Sequence, residues 1–271
     1  MSVKETIRLA KSLDKGQMLD LKKDTILSSN IVTGYSVNLP IYKTCQPSKL
    51  CATNCYAAIT NKPIAMKASQ NKQIKLLNSI KSDPYSVADK IVKELRAKQK
   101  KGLKFIRWNG VGDLFEEAIE CLVSAADQMP ELPFWVVTRI PKYAAIVPHR
   151  ENIFVHFSLD STSLDRFEKV CGLSPLSQNL FFSYTADKGE IEASERLKQI
   201  PISVFFSDLY GQLPPKEYEH VSCPLNGSKN ISSMCESCGR CWSKDALSLK
   251  QGETVPVYKQ DQPAPAQPRL L

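Results

Sequence analysis

Between residues 104 and 208 the chain repeats one pattern: a short run rich in Val, Ile and Phe, then turn residues, then an amphipathic stretch. The runs are KFIRWN (104–109), FWVVTRI (134–140), IFVHFSLD (153–160), LFFSYTAD (180–187) and ISVFFSD (202–208). Their starts lie thirty, nineteen, twenty-seven and twenty-two residues apart, which is room for right-handed crossovers between parallel strands. With IVTGYSVNLPI (31–41) upstream, the chain has six strands with helices or loops between them, the pattern of an α/β protein. A six-stranded partial barrel and an open doubly wound sheet both satisfy this spacing.

The intervening helices are marked by period and by caps. Residues 3–13 carry Val3, Ile7, Ala10 and Leu13 at helical spacing. Residues 63–82 and 84–101 form a pair, the second starting at Asp83 as N-cap with Pro84 in its first turn and Val87, Ala88, Ile91, Val92 and Leu95 on one face. After the second strand, Gly110-Val111-Gly112-Asp113 leads into a helix striped by Phe115, Ala118, Ile119, Leu122, Val123 and Ala126. In the fourth strand His156, Ser158 and Asp160 share a face, and in the fifth Phe181, Ser183, Thr185 and Asp187 do the same. A packed parallel strand is apolar on both faces, so two neighbouring strands with polar faces point to a lined cavity at the strand ends. Taken singly, each polar residue is equally a satisfied buried group.

Seven of the nine cysteines fall in two groups. The first, TCQPSKLCATNCYA, places Cys45, Cys51 and Cys55 in a loop with Pro47 and few large apolar residues. Such a loop does not bury three thiols as packing, so three thiolates on one metal centre are expected, with a fourth position open for a ligand. Reduced structural cysteines are the plain alternative. The second group is Cys223, Cys235, Cys238 and Cys241 in SCPLNGSKNISSMCESCGRCW. Its C-x2-C-x2-C run with a remote fourth cysteine matches cluster-binding ferredoxin loops more closely than the paired halves of zinc ribbons, although zinc is the alternative. Cys121 and Cys171 stand alone on helices and read as small packing residues.

Charge is unevenly spread. Residues 31–110 hold fifteen Lys or Arg against Asp83, Asp89 and Glu94, whereas residues 111–271 hold fifteen basic and twenty-one acidic side chains. The basic stretch 43–107 would attract a polyanion such as nucleic acid, or it is a solvated helix face. No apolar run approaches the roughly eighteen residues of a membrane helix, and the first residues lack the apolar centre of a signal peptide. A cytoplasmic protein without membrane contact is expected, where clustered cysteines ligate metal rather than pair as disulfides. The organisation expected is a helical extension over 1–30, the sheet domain with the three-cysteine loop over 31–212, the cysteine-rich segment over 213–245 and a Pro-rich tail over 246–271.

The three-cysteine loop ending CYA, the RWNGVGDLF segment, the TRI segment after the third strand and the closing C-x2-C-x2-CW resemble a divergent radical S-adenosylmethionine (radical SAM) protein. More closely they resemble the gene product 88 family of phages and mobile elements. The likeness spans about residues 31–242, and the loop departs from the common C-x3-C-x2-C in being C-x5-C-x3-C. It implies a partial (β/α)6 TIM-like barrel with a C-terminal metal-binding segment. Cys45, Cys51 and Cys55 would hold a [4Fe–4S] cluster whose fourth iron takes S-adenosylmethionine, and an electron donor such as flavodoxin or ferredoxin would serve it. It also implies that Gly110, Gly112 and Asp113 receive the methionine amine and that Ser158 and Asp160 meet the ribose hydroxyls. Three functions then compete: a radical enzyme with a second cluster acting on an unidentified substrate, among them nucleic acid; a zinc-stabilised nucleic-acid-binding protein; and a non-catalytic iron–sulfur protein.

Overall fold

The structure is a computed structural model, and it describes Arg8 and residues 16–59, 63–147, 150–173, 179–187, 190, 194–207, 214–224 and 234–243. The helix expected over 3–13 lies outside these residues apart from Arg8, which is helical, and so does the tail over 246–271.

Seven strands form one sheet in chain order: β1 (Ser28–Asn30), β2 (Gly34–Val37), β3 (Ile106–Trp108), β4 (Phe134–Thr138), β5 (Ile153–Leu159), β6 (Leu180–Thr185) and β7 (Ile202–Phe206). β1 and β2 are an antiparallel pair, and every pairing from β2 to β7 is parallel. The six expected strands are thus present, in shorter form. β1 is an addition: its sequence SSN carries no alternation of apolar and polar residues from which a strand could be read. A doubly wound sheet reverses its order at a switch point and carries helices on both faces. Here the order never reverses.

The helices described are α1 (Lys49–Thr53), α2 (Tyr56–Ile59), α3 (Pro63–Ser82), α4 (Pro84–Gln99), α5 (Glu116–Asp127), α6 (Pro141–Ile146), α7 (Asp165–Cys171), α8 (Glu195–Lys198) and α9 (Met234–Cys238), with a 3-10 turn at Lys216–Val221. α4 begins as its sequence dictates: Asp83 Oδ1 accepts from Ser86 N at 3.0 Å, and Pro84 takes the first turn, where a missing N–H costs nothing.

Alternate strand residues divide the sheet's faces. Ile106, Trp108, Phe134, Val136, Ile153 and Val155 join Val87, Ile91, Leu95 and Leu122 of α4 and α5 in the main core. Phe157, Leu159, Phe182, Tyr184 and Phe205 continue that face into a second core with Val170 of α7 and Leu197 of α8. The opposite face presents Arg107, Trp135, His156, Ser158, Ser183 and Val204. Residues 16–30 are not helical, and Leu19, Ile26 and Leu27 enter the main core, fastened where Glu94 of α4 accepts from Ile26 N and Leu27 N. The main core therefore draws on residues upstream of 31. Among the described residues no helix is long and apolar enough to cross a membrane.

Candidate metal centres

The loop carrying Cys45, Cys51 and Cys55 lies where the carboxyl ends of β3, β4 and β5 converge, and residues at those ends and on α7 seat it. Ser48 caps α1, accepting from Cys51 N at 3.1 Å, and its hydroxyl donates to Asp160 Oδ2, just beyond β5. Arg139, just beyond β4, donates from Nη1 to the same oxygen at 2.6 Å. Asp160 Oδ1 accepts from Thr162 N, Thr162 Oγ1 and Ser163 Oγ at 2.8–3.1 Å. Thr162 Oγ1 in turn accepts from Leu50 N at 3.1 Å. Arg166 of α7 closes the clamp, donating to the carbonyls of Gln46 at 2.8 Å, Arg139 at 3.0 Å and Pro47 at 3.3 Å. Asp160 is 1% exposed, and Arg139 and Ser48 hold its carboxyl below the usual carboxylate range against the opposing effect of burial. With five donors its lone pairs are filled, so a ribose hydroxyl would have to displace one of them. Ser158 lies two residues earlier on the same face, buried, opposite Ser183 in register.

Asp113 is 4% exposed and latches the β3 turn to β4. Its Oδ1 accepts from Leu114 N at 2.7 Å and Thr138 Oγ1 at 2.6 Å, and its Oδ2 from Arg139 N at 2.9 Å. Its own N–H donates to Thr44 Oγ1 at 2.9 Å, next to Cys45. It does not start α5, whose N-cap is Phe115 without a side-chain cap bond. Burial outweighs the three donors and raises its carboxyl to about 6. The glycines before it approach the chain's own preceding strand: a Cβ on Gly110 would stand 2.4 Å from Asn38 Oδ1, and one on Gly112, at φ 80°, would stand 2.5 Å from Leu39 O. Both glycines are therefore required by the close passage of residues 36–39.

Tyr42, just before the thiols, has φ 64°, a costly conformation for a bulky residue. Its hydroxyl is buried and lies near the Cys55 sulfur without reaching hydrogen-bond geometry. Burial first, then Cys55, Cys51 and Cys45, push that hydroxyl's pKa up, so all three thiols bear on one phenol. Burial and Asp113 push the Cys45 thiol up to about 12. Cys51 is raised by burial, with Arg139 opposing.

The second group sits against the opposite face of the sheet, nearer the strand centres. Cys223, Cys235, Cys238 and Cys241 line one cavity of about 20 Å³ together with Val204, Pro224 and Arg240. Cys223 N donates to Phe205 O at 2.8 Å, which sets that thiol at the edge of β7. The other three hang on 234–243, where Trp242 stacks on Phe105 at 4.9 Å and donates from Nε1 to Cys235 O at 3.1 Å. His156 Nε2 lies 3.1 Å from Cys241 O, and since a carbonyl only accepts, that nitrogen carries the proton. Among the described residues no three His, Cys, Asp or Glu side chains are arranged as ligands of a single metal ion. The four thiols share a cavity without closing on a point. Cys121 is buried in the main core as expected, whereas Cys171 is exposed on α7 and packs nothing, because its position faces away from the sheet.

Burial lowers His156 to about 4, so it is neutral in the fold and must charge as acid unfolds the protein. A base depressed in the folded state contributes stability above its unfolded pKa near 6.5, and that stability is lost as pH falls towards 4. At about 1.4 kcal/mol per pKa unit this is on the order of 3 kcal/mol. Denaturation of His156→Gln across pH 4 to 7 should show this slope flattened, and an unchanged slope would reject a neutral buried His156.

The basic stretch falls mainly on α3 and α4. Lys93, Arg96, Lys100 and Lys101 line a shallow groove of about 670 Å³ together with Asp89 and Gln128.

Fold and site together define an α/β protein with a mostly parallel sheet in chain order, a three-thiol loop at its carboxyl edge and a four-thiol segment on one face. The chain belongs to the Gene product 88 family, whose model matches residues 8–244. No curated protein matches it.

Proposed function

We propose that the chain is an iron–sulfur enzyme of the radical S-adenosylmethionine type on a partial (β/α)6 barrel. The observation that carries this reading is the three-thiol loop clamped at the carboxyl edge of six parallel strands wound without reversal, the edge where such sheets place their chemistry. Cys45, Cys51 and Cys55 suit three irons of a [4Fe–4S] cluster, being three soft donors on one short loop. Cys223, Cys235, Cys238 and Cys241 suit a second centre. A cluster held by these three thiols would supply, with S-adenosylmethionine and an external electron donor, reductive cleavage of the sulfonium for hydrogen abstraction from a substrate.

The chain's own groups do the positioning. Asp160, Arg139 and Arg166 hold the thiol loop against the strand ends. Asp113 retains one Oδ2 lone pair beyond its three donors for the methionine amine. Ser158 and Ser183 lie between the two centres: His156, which meets the four-thiol segment, and Asp160, which meets the loop, are four residues apart on β5, or about 13 Å. A substrate between them would be reached from both.

Replacing Cys45, Cys51 or Cys55 by alanine is expected to remove about half of the bound iron, as one of two clusters is lost, and to abolish S-adenosylmethionine cleavage under anaerobic reduction. A Cys51→Ala protein with full iron and cleavage would defeat the assignment. The groove on α4 adds a polyanionic partner to the reading. Nucleic-acid affinity should fall steeply with salt and weaken in Lys93→Ala/Lys100→Ala, because each neutralised phosphate releases counterions. Binding that ignores salt would leave those lysines a solvated face.

A further inference from the structure

One guanidinium lines the four-thiol cavity and a second acts on its thiols from β3, and among the described residues neither forms an ion pair with a carboxylate. Arg240 is 4% exposed and lines the cavity itself. Its Nη1 donates to His220 O at 2.9 Å, but its Nε is buried without a hydrogen-bond partner. Arg107 projects from β3 on the same face of the sheet, with its guanidinium 4.7 Å from the centre of the Trp135 ring. Its Nε is also buried without a partner. The groups that bear on them are thiols: Cys238, Cys241 and Cys223 act on Arg240, and Arg107 acts on Cys235 and Cys241. His156 on the same face is held neutral by burial, and Asp160 further along it is paired with Arg139.

A guanidinium stays charged in any protein, and burying it beside neutral thiols leaves the charge uncompensated at a cost of several kcal/mol. Four thiolates around a divalent centre, whether zinc or a [4Fe–4S] cluster in its oxidised state, carry two net negative charges, which two arginines balance. The orphaned Nε–H groups are donors of the kind that bond to sulfur. We propose that Arg107 and Arg240 are the counter-charges and hydrogen-bond donors of a metal–thiolate centre on Cys223, Cys235, Cys238 and Cys241, and that they raise its reduction potential. This rests on the cluster reading above for the second centre. One-electron reduction adds a third negative charge, so nearby cations and N–H donors favour the reduced state.

The test uses the full chain with Cys45, Cys51 and Cys55 all replaced by alanine, so that only the second centre loads. Iron, sulfide and zinc are assayed after anaerobic reconstitution, and the midpoint potential is read by dithionite titration. Arg107→Met and Arg240→Met are each expected to make reduction at least tenfold less favourable, a negative shift of about 59 mV for a one-electron couple. Arg107→Lys, which restores the charge without the fork, should recover part of it. If Arg240→Met does not fold, Arg107→Met, a change on a strand face outside the thiol segment, carries the comparison. Unmoved potentials at full iron content overturn the role of the arginines while leaving the cluster standing. Zinc in place of iron overturns the cluster, and the arginines are then read by zinc affinity: a tenfold loss in either Met variant upholds them and no loss rejects them. A protein that binds neither metal overturns both.

Discussion

Asp160→Ala is expected to cost about 3–5 kcal/mol of stability, the usual penalty for removing one partner of a buried ion pair, and to unseat the three-cysteine loop. The carboxylate is the junction of five donors, and its removal leaves the Arg139 guanidinium without its anion while Ser48 loses the acceptor that holds the α1 cap in place. Because Ser48 also receives Cys51 N, the disturbance passes directly to the second thiol of the loop. Two measurements separate this from a generic loss of stability: chemical denaturation gives the energy, and alkylation rates at Cys45, Cys51 and Cys55 under native conditions report whether the loop has come away. Rates should rise at these three and stay unchanged at Cys121, which is buried in the main core. Stability within about 1 kcal/mol of the parent, with unchanged alkylation, would show that the clamp is dispensable.

Much of the sheet can be read from the chain alone, since runs rich in Val, Ile and Phe, spaced for crossovers, have few other ways to fold. The choice between a doubly wound and a singly wound sheet cannot, because strand spacing is the same in both and only the pairing order decides. The cysteine groups are equally visible, being clusters of one rare residue. What holds them is not. Arg139 and Arg166 look like ordinary surface arginines in sequence, and their partners lie 21 to 120 residues away. A signal existed for Arg139 in the TRI segment at a strand end, where a basic residue faces the cavity side. The G-x-G turn carries a demand that the sequence does not reveal: a Cβ on either glycine would meet the chain just after β2, at Asn38 or Leu39.

The polar face of β5 illustrates the same limit at one strand. Alternation places His156, Ser158 and Asp160 together, as the structure has them, but it assigns no partners. Two of the three are engaged with opposite cysteine groups, His156 with the four-thiol segment and Asp160 with the three-thiol loop. This strand therefore meets both cysteine groups, at positions four residues apart. Ser158 at its midpoint is left as the side chain best placed to face whatever enters between them.

Asp113→Asn is the second large effect. A carboxylate at a helix start would cost about 1 kcal/mol to neutralise, but Asp113 is a buried latch. The amide can reproduce one acceptor oxygen, and its NH2 then faces either Arg139 N–H or the Thr138 and Leu114 donors. Leaving buried donors opposed in this way costs about 1–3 kcal/mol. The pH dependence gives an independent reading. A carboxyl raised from 3.8 to about 6 in the fold contributes stability that is fully present below 3.8 and is lost as pH rises through 6, on the order of 3 kcal/mol across that window. This runs opposite to His156, so the two partly cancel in the parent and the slope emerges only by comparison. Asn does not titrate, and the stability deficit of Asp113→Asn should therefore be widest near pH 4 and narrow towards pH 7. Calorimetry with S-adenosylmethionine on the folded, cluster-loaded variant then addresses the remaining Oδ2 lone pair: affinity lost ten- to a hundredfold assigns it to the methionine amine. A deficit independent of pH, with unchanged affinity, would remove Asp113 from both roles.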